Sequence, residues 1–207
     1  EMTQGQADWV TGDPVQAIAA PSTRRVIIEG RGFGAEGFTR TEQGFISVPH
    51  THPGDEVEVI VGEFRRGRAW AHVARTLSKS ALHVDPSCHH YDRCSGCAMR
   101  HFAPDLESDF KLQKLRDIWT RCGPESTQTI PIDLVSTGVR SGHRTRGRMS
   151  VFVTPERVSI GLRSLELDGK VVDVRDCPAQ SEQWRALMGW IGDWLDANPE
   201  QAREVDQ

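Results

Sequence analysis

Residues 88–101 read Cys88-His89-His90-Tyr91-Asp92-Arg93-Cys94-Ser95-Gly96-Cys97-Ala98-Met99-Arg100-His101. Three of the five cysteines fall in this stretch, spaced C-x5-C-x2-C. Thiolates at that spacing can converge on one centre, with Gly96 allowing a tight turn between Cys94 and Cys97. A four-thiolate site needs one more ligand, and Cys122 and Cys177 are the candidates. Cys177 leaves a strand-like run at 170–175 and precedes Pro178, whereas Cys122 ends a helical pattern. Cys177 is therefore favoured. The spacing serves an iron–sulfur cluster or a zinc ion equally. A disulfide framework fits poorly, because an odd cysteine is left over and no secretory pattern precedes the stretch.

Outward from this loop, the 207 residues divide by pattern. Residues 1–22 are polar, without a sustained period, and are expected to form a flexible lead-in. Short β-branched or alternating runs follow at 24–29, 35–40, 43–48, 55–61 and 68–77, punctuated by glycine and proline. Five short strands over 23–79 predict a small closed barrel of the oligonucleotide-binding kind. Gly32-Phe33-Gly34-Ala35-Glu36-Gly37 matches G-x-G-x-x-G, but a strand–turn–strand pattern follows it rather than a helix. A nucleotide site at that position is rejected, and the glycines are expected at a tight corner.

Beyond the cysteines, Leu106, Phe110, Leu112, Leu115, Ile118 and Trp119 recur at helical spacing, with Asp105 as expected N-cap and Gly123-Pro124 as stop. Strands are expected at 130–135, 149–153, 158–162 and 170–174, with turns at 154–156 and 168–169. A last helix is expected over 181–197, with Trp184, Leu187, Met188, Ile191, Trp194 and Leu195 turned to the core. An acidic, frayed tail is expected over 199–207. The reading is α+β: an OB-like barrel, then an antiparallel-sheet α/β domain over 80–198 holding the cysteine-ligated centre.

The net charge is −4, yet the acid is concentrated at the two ends and the basic excess lies in 24–79 and 140–175. In the second block, Arg144, Arg146 and Arg148 alternate, which on a strand places three guanidinium groups on one face. With Arg163 on a neighbouring strand, and Arg65, Arg66 and Arg68 in the first block, they are the candidate RNA-binding residues. A charged, edge-protecting strand is the competing reading of Arg144–Arg148. No apolar run reaches the roughly 20 residues that cross a bilayer, so no membrane partner is expected. Free cysteines suit a reducing, cytoplasmic setting. A monomer is expected. The first residue is Glu1, consistent with a piece of a longer chain or with a processed or trimmed product.

The order of these features carries a resemblance. The barrel, Cys88-x5-Cys94-x2-Cys97 with His101 four residues on, and a helix bearing Lys111 and Lys114 come first. The Arg-rich run, Gly161-Leu162-Arg163 and Val172-Asp173-Val174-Arg175-Asp176-Cys177-Pro178 follow. Over residues 24–197 this resembles the N-terminal half of the bacterial RNA (uracil-5-)-methyltransferases that carry a TRAM domain and a 4Fe–4S cluster, nearest to those acting on 23S ribosomal RNA. The resemblance implies that Cys88, Cys94, Cys97 and Cys177 ligate the cluster, that the barrel is the TRAM domain, and that the partner is RNA, ribosomal in the first instance. It departs from the family's Cys-Gly-Gly-Cys at Ser95, from Gln-His at Arg100-His101, and from aromatic residues at His143 and Leu162. The family's catalytic, S-adenosylmethionine-binding domain has no counterpart in these residues, so no catalytic residue is assigned. A stand-alone RNA-binding adaptor with a structural cluster or zinc is the alternative, and a redox or iron-sensing module ranks below it.

Overall fold

A computed structural model describes residues 22–127, 129–154, 157–166 and 169–205. The expected lead-in over 1–21, the tips of the turns at 155–156 and 168, and the last two residues lie outside it.

The first sheet contains β1 (Ser22–Ile27), β2 (Gly30–Arg31), β3 (Gly37–Thr41), β4 (Gly44–Val48), β5 (Glu56–Val61) and β6 (Arg68–Ser78). Their order is β1-β5-β6-β4-β3-β2, antiparallel throughout except for the parallel β4–β6 pair. Five strands in a closed barrel were expected; six occur, in an open order. The first expected strand divides because Ile28 and Glu29 switch partners: Ile28 N donates to Asp55 O at 2.9 Å, and Glu29 N to Phe38 O at 2.9 Å. One segment thus bonds to β5 with its first half and to β3 with its second.

The alternation of β5 is obeyed residue by residue: Val57, Val59 and Val61 are buried, and Glu56, Glu58 and Ile60 are less so. They pack with Ile28, Ile46, Val48, Ala69 and Ala71. The segment from Gly32 to Glu36 is a turn leading into β3, with no helix to receive a phosphate. The Glu36 carboxylate fills the space that a Cβ on Gly32 or Gly34 would need, which accounts for both glycines.

The cysteine loop leads to α1 (Pro104–Cys122), which starts with proline in its first turn and has Ala103 as N-cap rather than Asp105. Gly123 ends it as expected. No residue of α1 is fully buried, and Leu115 and Ile118 stay exposed.

The second sheet is a three-stranded antiparallel meander of β7 (Ser150–Val153), β8 (Val158–Arg163) and β9 (Val171–Asp173). Helix α2 (Glu182–Ala197) covers it, capped by Ser181, whose side chain accepts from Trp184 N. Met188 and Leu195 join Val158 and Ile160 in the core, with Trp184 and Ile191 at its margin. Leu187 and Trp194, also expected inside, are 45% exposed each. Where fraying was expected, Pro199–Val205 form α3, and Ala202 is fully buried in that same core.

Two expected strands are absent. Residues 130–135 are not in a strand, and Ile130, Leu134 and Val135 are exposed. β-branched residues favour a strand only where a partner and a packing surface exist. The arginine run 140–148 is also irregular; its ladder contact is a single bridge between Arg144 and Gln180.

Candidate metal centre and nucleic-acid interface

Cys88, Cys94, Cys97 and Cys177 line one small cavity. All are free, and Cys94 is the most buried. Cys122 is exposed at the end of α1, away from the other four. Two segments bring the thiols together. In the loop, Cys94 N donates to His90 O at 2.8 Å, and Ser95 N donates to Arg163 O at 3.1 Å, docking the loop on the end of β8. After β9, Cys177 N donates to Val174 O at 2.9 Å, turning its side chain back to the same cavity. Gly96 has a reason that local turn geometry does not reveal: a Cβ there would collide with Leu162, which roofs the loop.

Burial pushes the Cys88 and Cys94 thiols above their ordinary range, each raised further by the neighbouring cysteines. Four soft donors around one cavity form a set that a thiophilic metal centre fits. Arg100 and Arg144 line the same cavity and supply positive charge beside it. The two cysteine-bearing segments are tied by Asp176, which meets His90 Nε2 at 2.5 Å and His89 Nε2 at 3.3 Å. Burial alone would raise the Asp176 carboxyl, but these histidines outweigh it and hold it low. These are the three potential ligand atoms that fall within 4.8 Å of one another among the described residues.

The candidate RNA residues occupy different situations. Arg144, Arg146 and Arg148 are exposed, on an irregular segment rather than a strand, so strict alternation does not order them. That segment is pinned next to the cysteine cavity: Arg144 N donates to Ala179 O at 2.9 Å, and Ser181 N donates to Arg144 O at 2.8 Å. Arg140 turns inward and binds the carbonyls of Phe102 and Met99. Arg163 is exposed at the end of β8, and no carboxylate among the described residues pairs with it. Arg65 pairs with Glu63 at 3.0 Å, and Arg66 occupies the β5–β6 turn at φ 52°. Arg68 is committed to Glu36 at 2.5 Å and to Ser47 Oγ at 2.9 Å, so its charge is largely spent inside the chain.

A histidine cluster at the junction of the first sheet and the cysteine loop was not foreseen. His52 is packed against His83 and His101, with ring centroids 4.6 and 4.4 Å away. His50 stacks on Tyr91 at 3.9 Å and meets Cys97 O at 2.8 Å. His83 Nε2 bonds to Asp55 Oδ2 at 2.7 Å. Burial is the main cause that pushes His50 down to about 4 and His101 down to about 3. The only local hints were Asp55 three residues after His52 and His101 four residues after Cys97; the partners are distant in sequence.

Residues 22–74 match the TRAM domain. The chain is 31% identical over 165 residues to a 23S rRNA (uracil(1939)-C(5))-methyltransferase, RlmD, of Halomonas elongata, covering 79% of this chain and 33% of that protein. It is 32% identical over 133 residues to a tRNA (uracil(54)-C(5))-methyltransferase of Pyrococcus furiosus, covering 64% and 29%. A similar fold occurs in the Pyrococcus abyssi tRNA (uracil-54, C5)-methyltransferase solved with S-adenosyl-L-homocysteine: TM-score 0.56, 23% identity, 84% of this chain and 37% of that one. The chain therefore carries a TRAM domain within a mixed α+β fold. More particularly, it is homologous over most of its length to the RNA (uracil-5)-methyltransferases of the RlmD and tRNA types. It spans about a third of the length of these relatives.

Proposed function

We propose that this chain is the RNA-binding, cluster-bearing portion of an S-adenosylmethionine-dependent RNA (uracil-C5) methyltransferase that acts on 23S ribosomal RNA in the cytoplasm. Residues 23–79 are the RNA-binding TRAM unit, and 80–198 are the cluster unit. The observation that carries the reading is that the segment bearing Arg144, Arg146 and Arg148 is held by backbone hydrogen bonds to the turn that presents Cys177.

Cys88, Cys94, Cys97 and Cys177 would hold a 4Fe–4S cluster. Zinc–thiolate bonds of about 2.3 Å would hold four sulfurs roughly 3.8 Å apart. Four thiolates can serve either centre, and iron, sulfide and zinc analysis separates the two. The cluster supplies a covalent cross-link between the loop and the second sheet. The chain's own residues do the rest: Arg100 and Arg144 offset thiolate charge, Asp176 clamps the two segments, and the exposed arginines meet phosphate. Methyl transfer is assigned to the complete protein.

The test is filter binding of a structured 23S fragment and of a tRNA across a salt series. Each phosphate contact contributes roughly one unit to the salt slope. Replacing Arg144, Arg146 and Arg148 together with Gln should weaken ribosomal binding and flatten the slope by about two to three units. Unchanged affinity and slope in the folded variant would return these arginines to a merely charged surface, and tighter binding of tRNA would reassign the substrate.

A further inference from the structure

Three neighbouring strands of the TRAM sheet present a face in which Arg68 is the single member already named among the candidate RNA-binding residues. Pairing places Arg40 opposite Phe45 and Phe45 opposite Arg68, then Phe38 opposite Ser47 and Ser47 opposite Trp70. Thr39, Ile46 and Ala69, between them along the strands, are buried. That face carries Arg40, Phe45 and Arg68 in one row and Phe38, the buried Ser47 and Trp70 in the next. Phe45 is 44% and Trp70 45% exposed, a large apolar exposure for two residues on one sheet face. The arginines hold those rings: the Arg40 guanidinium lies 5.8 Å from the Phe45 centroid, and that of Arg68 lies 4.7 Å from the Trp70 centroid.

The face does not end at Trp70. A cavity of about 390 Å³ opens between Trp70 and the cysteine loop, bounded by Glu36, His50, Ser95, Ala98 and Arg163. Its walls are mostly apolar, and Arg163, which has no carboxylate partner among the described residues, sits among its lining residues. An apolar partner protein would offer nothing to the exposed guanidiniums of Arg163 and Arg40. A nucleic acid strand supplies both halves: flat bases for the rings and phosphates for the guanidiniums.

We propose that the outer face of β3, β4 and β6 is a stacking track for unpaired bases of single-stranded RNA. One base enters the cavity beside Trp70, and adjacent phosphates meet Arg40 and Arg163. This rests on the RNA reading above and adds the class of RNA structure recognised: unstacked bases rather than duplex. Stacking on aromatic rings tolerates any base, so the track reads strandedness, not sequence.

The test compares a 12-nucleotide single strand, the same strand carrying abasic sites, and a duplex of equal length. Wild type should bind the single strand about tenfold more tightly than its abasic form. Trp70→Ala and Phe45→Ala should each weaken single-strand binding by about tenfold, leaving duplex binding and the salt slope unchanged. Trp70→Phe should restore most of the loss. The abasic comparison needs no variant, so it stands even if a variant misfolds. Equal binding of normal and abasic strands by wild type would overturn the stacking track and leave the arginine-based RNA reading intact. No binding of any RNA would overturn both.

Discussion

The Nδ1 of His52 lies 2.7 Å from a guanidinium nitrogen of Arg31, and its Nε2 lies 3.2 Å from His101 O. A guanidinium can only donate, so Nδ1 accepts and Nε2–H donates to the carbonyl. Protonation would keep the bond to the carbonyl but turn Nδ1 into a second donor facing the guanidinium, so only the neutral ring makes both contacts. Burial, then the nearby His83 and Arg31, lower the pKa of His52, and burial pushes His101 down to about 3. Below about pH 6.5 the unfolded chain takes up protons that the folded chain refuses. The stability from these rings is therefore complete above pH 6.5 and falls as pH drops toward 3. Melting temperature should decline from pH 7 to pH 5, and His52→Gln should flatten that decline.

Glu36 is buried beneath the Gly32–Gly34 turn, with Arg68 as its ion-pair partner. Removing one partner of such a pair leaves an uncompensated carboxylate. Arg68→Ala should cost about 2 kcal/mol in urea unfolding, reduced from the fully buried figure because Arg68 is itself half exposed. Adding Glu36→Gln should recover part of the loss. An additive double mutant would show that the pair is not coupled.

Arg175 joins α2 to the second sheet. It donates hydrogen bonds to Asp196 at 2.8 Å and the Val158 carbonyl at 2.8 Å, and ion-pairs with Asp173 at 3.2 Å. The hydrogen bond to Asp196 is the main cause raising its pKa. Gly192 leaves no room for a Cβ beside this guanidinium. Because Arg175 precedes the Asp176-Cys177 turn, Arg175→Ala should lower both the melting temperature and the metal content. Gly192→Ala should lower the first by displacing Arg175. A full metal load in Arg175→Ala would separate the clamp from the metal centre.

The turn after Gly32 leads into a strand and not a helix, so it offers no helix N-terminus to a cofactor. Calorimetric titration of residues 1–207 with S-adenosylmethionine should show no heat of binding. Micromolar binding would place cofactor recognition within this chain.

Local pattern carried much of the fold. The strict alternation of Glu56–Val61 became a half-buried strand, and the Gly123 stop ended α1 where expected. Pattern failed where partners decide. The run Ile130–Val135 has strand-forming residues but no neighbouring strand among the described residues, and the arginine segment is shaped by the Cys177–Ser181 turn instead of a sheet. That Cys88, Cys94, Cys97 and Cys177 gather at one cavity was legible because spacing and a following proline are local signals. The histidine cluster was not, since His52 and His101 are 49 positions apart and meet only through the fold. Phe45 and Trp70 were equally silent: only pairing across β4 and β6 shows that they share an outer face.

The most direct measurement is iron, acid-labile sulfide and zinc analysis of anaerobically purified protein, for wild type and two variants. The account predicts brown wild-type protein with about four irons and four sulfides per chain. Cys177→Ser should lose the metal, and Cys122→Ser should keep it. Colourless protein with one zinc and no sulfide, or equal loss from both variants, would contradict the four-cysteine cluster.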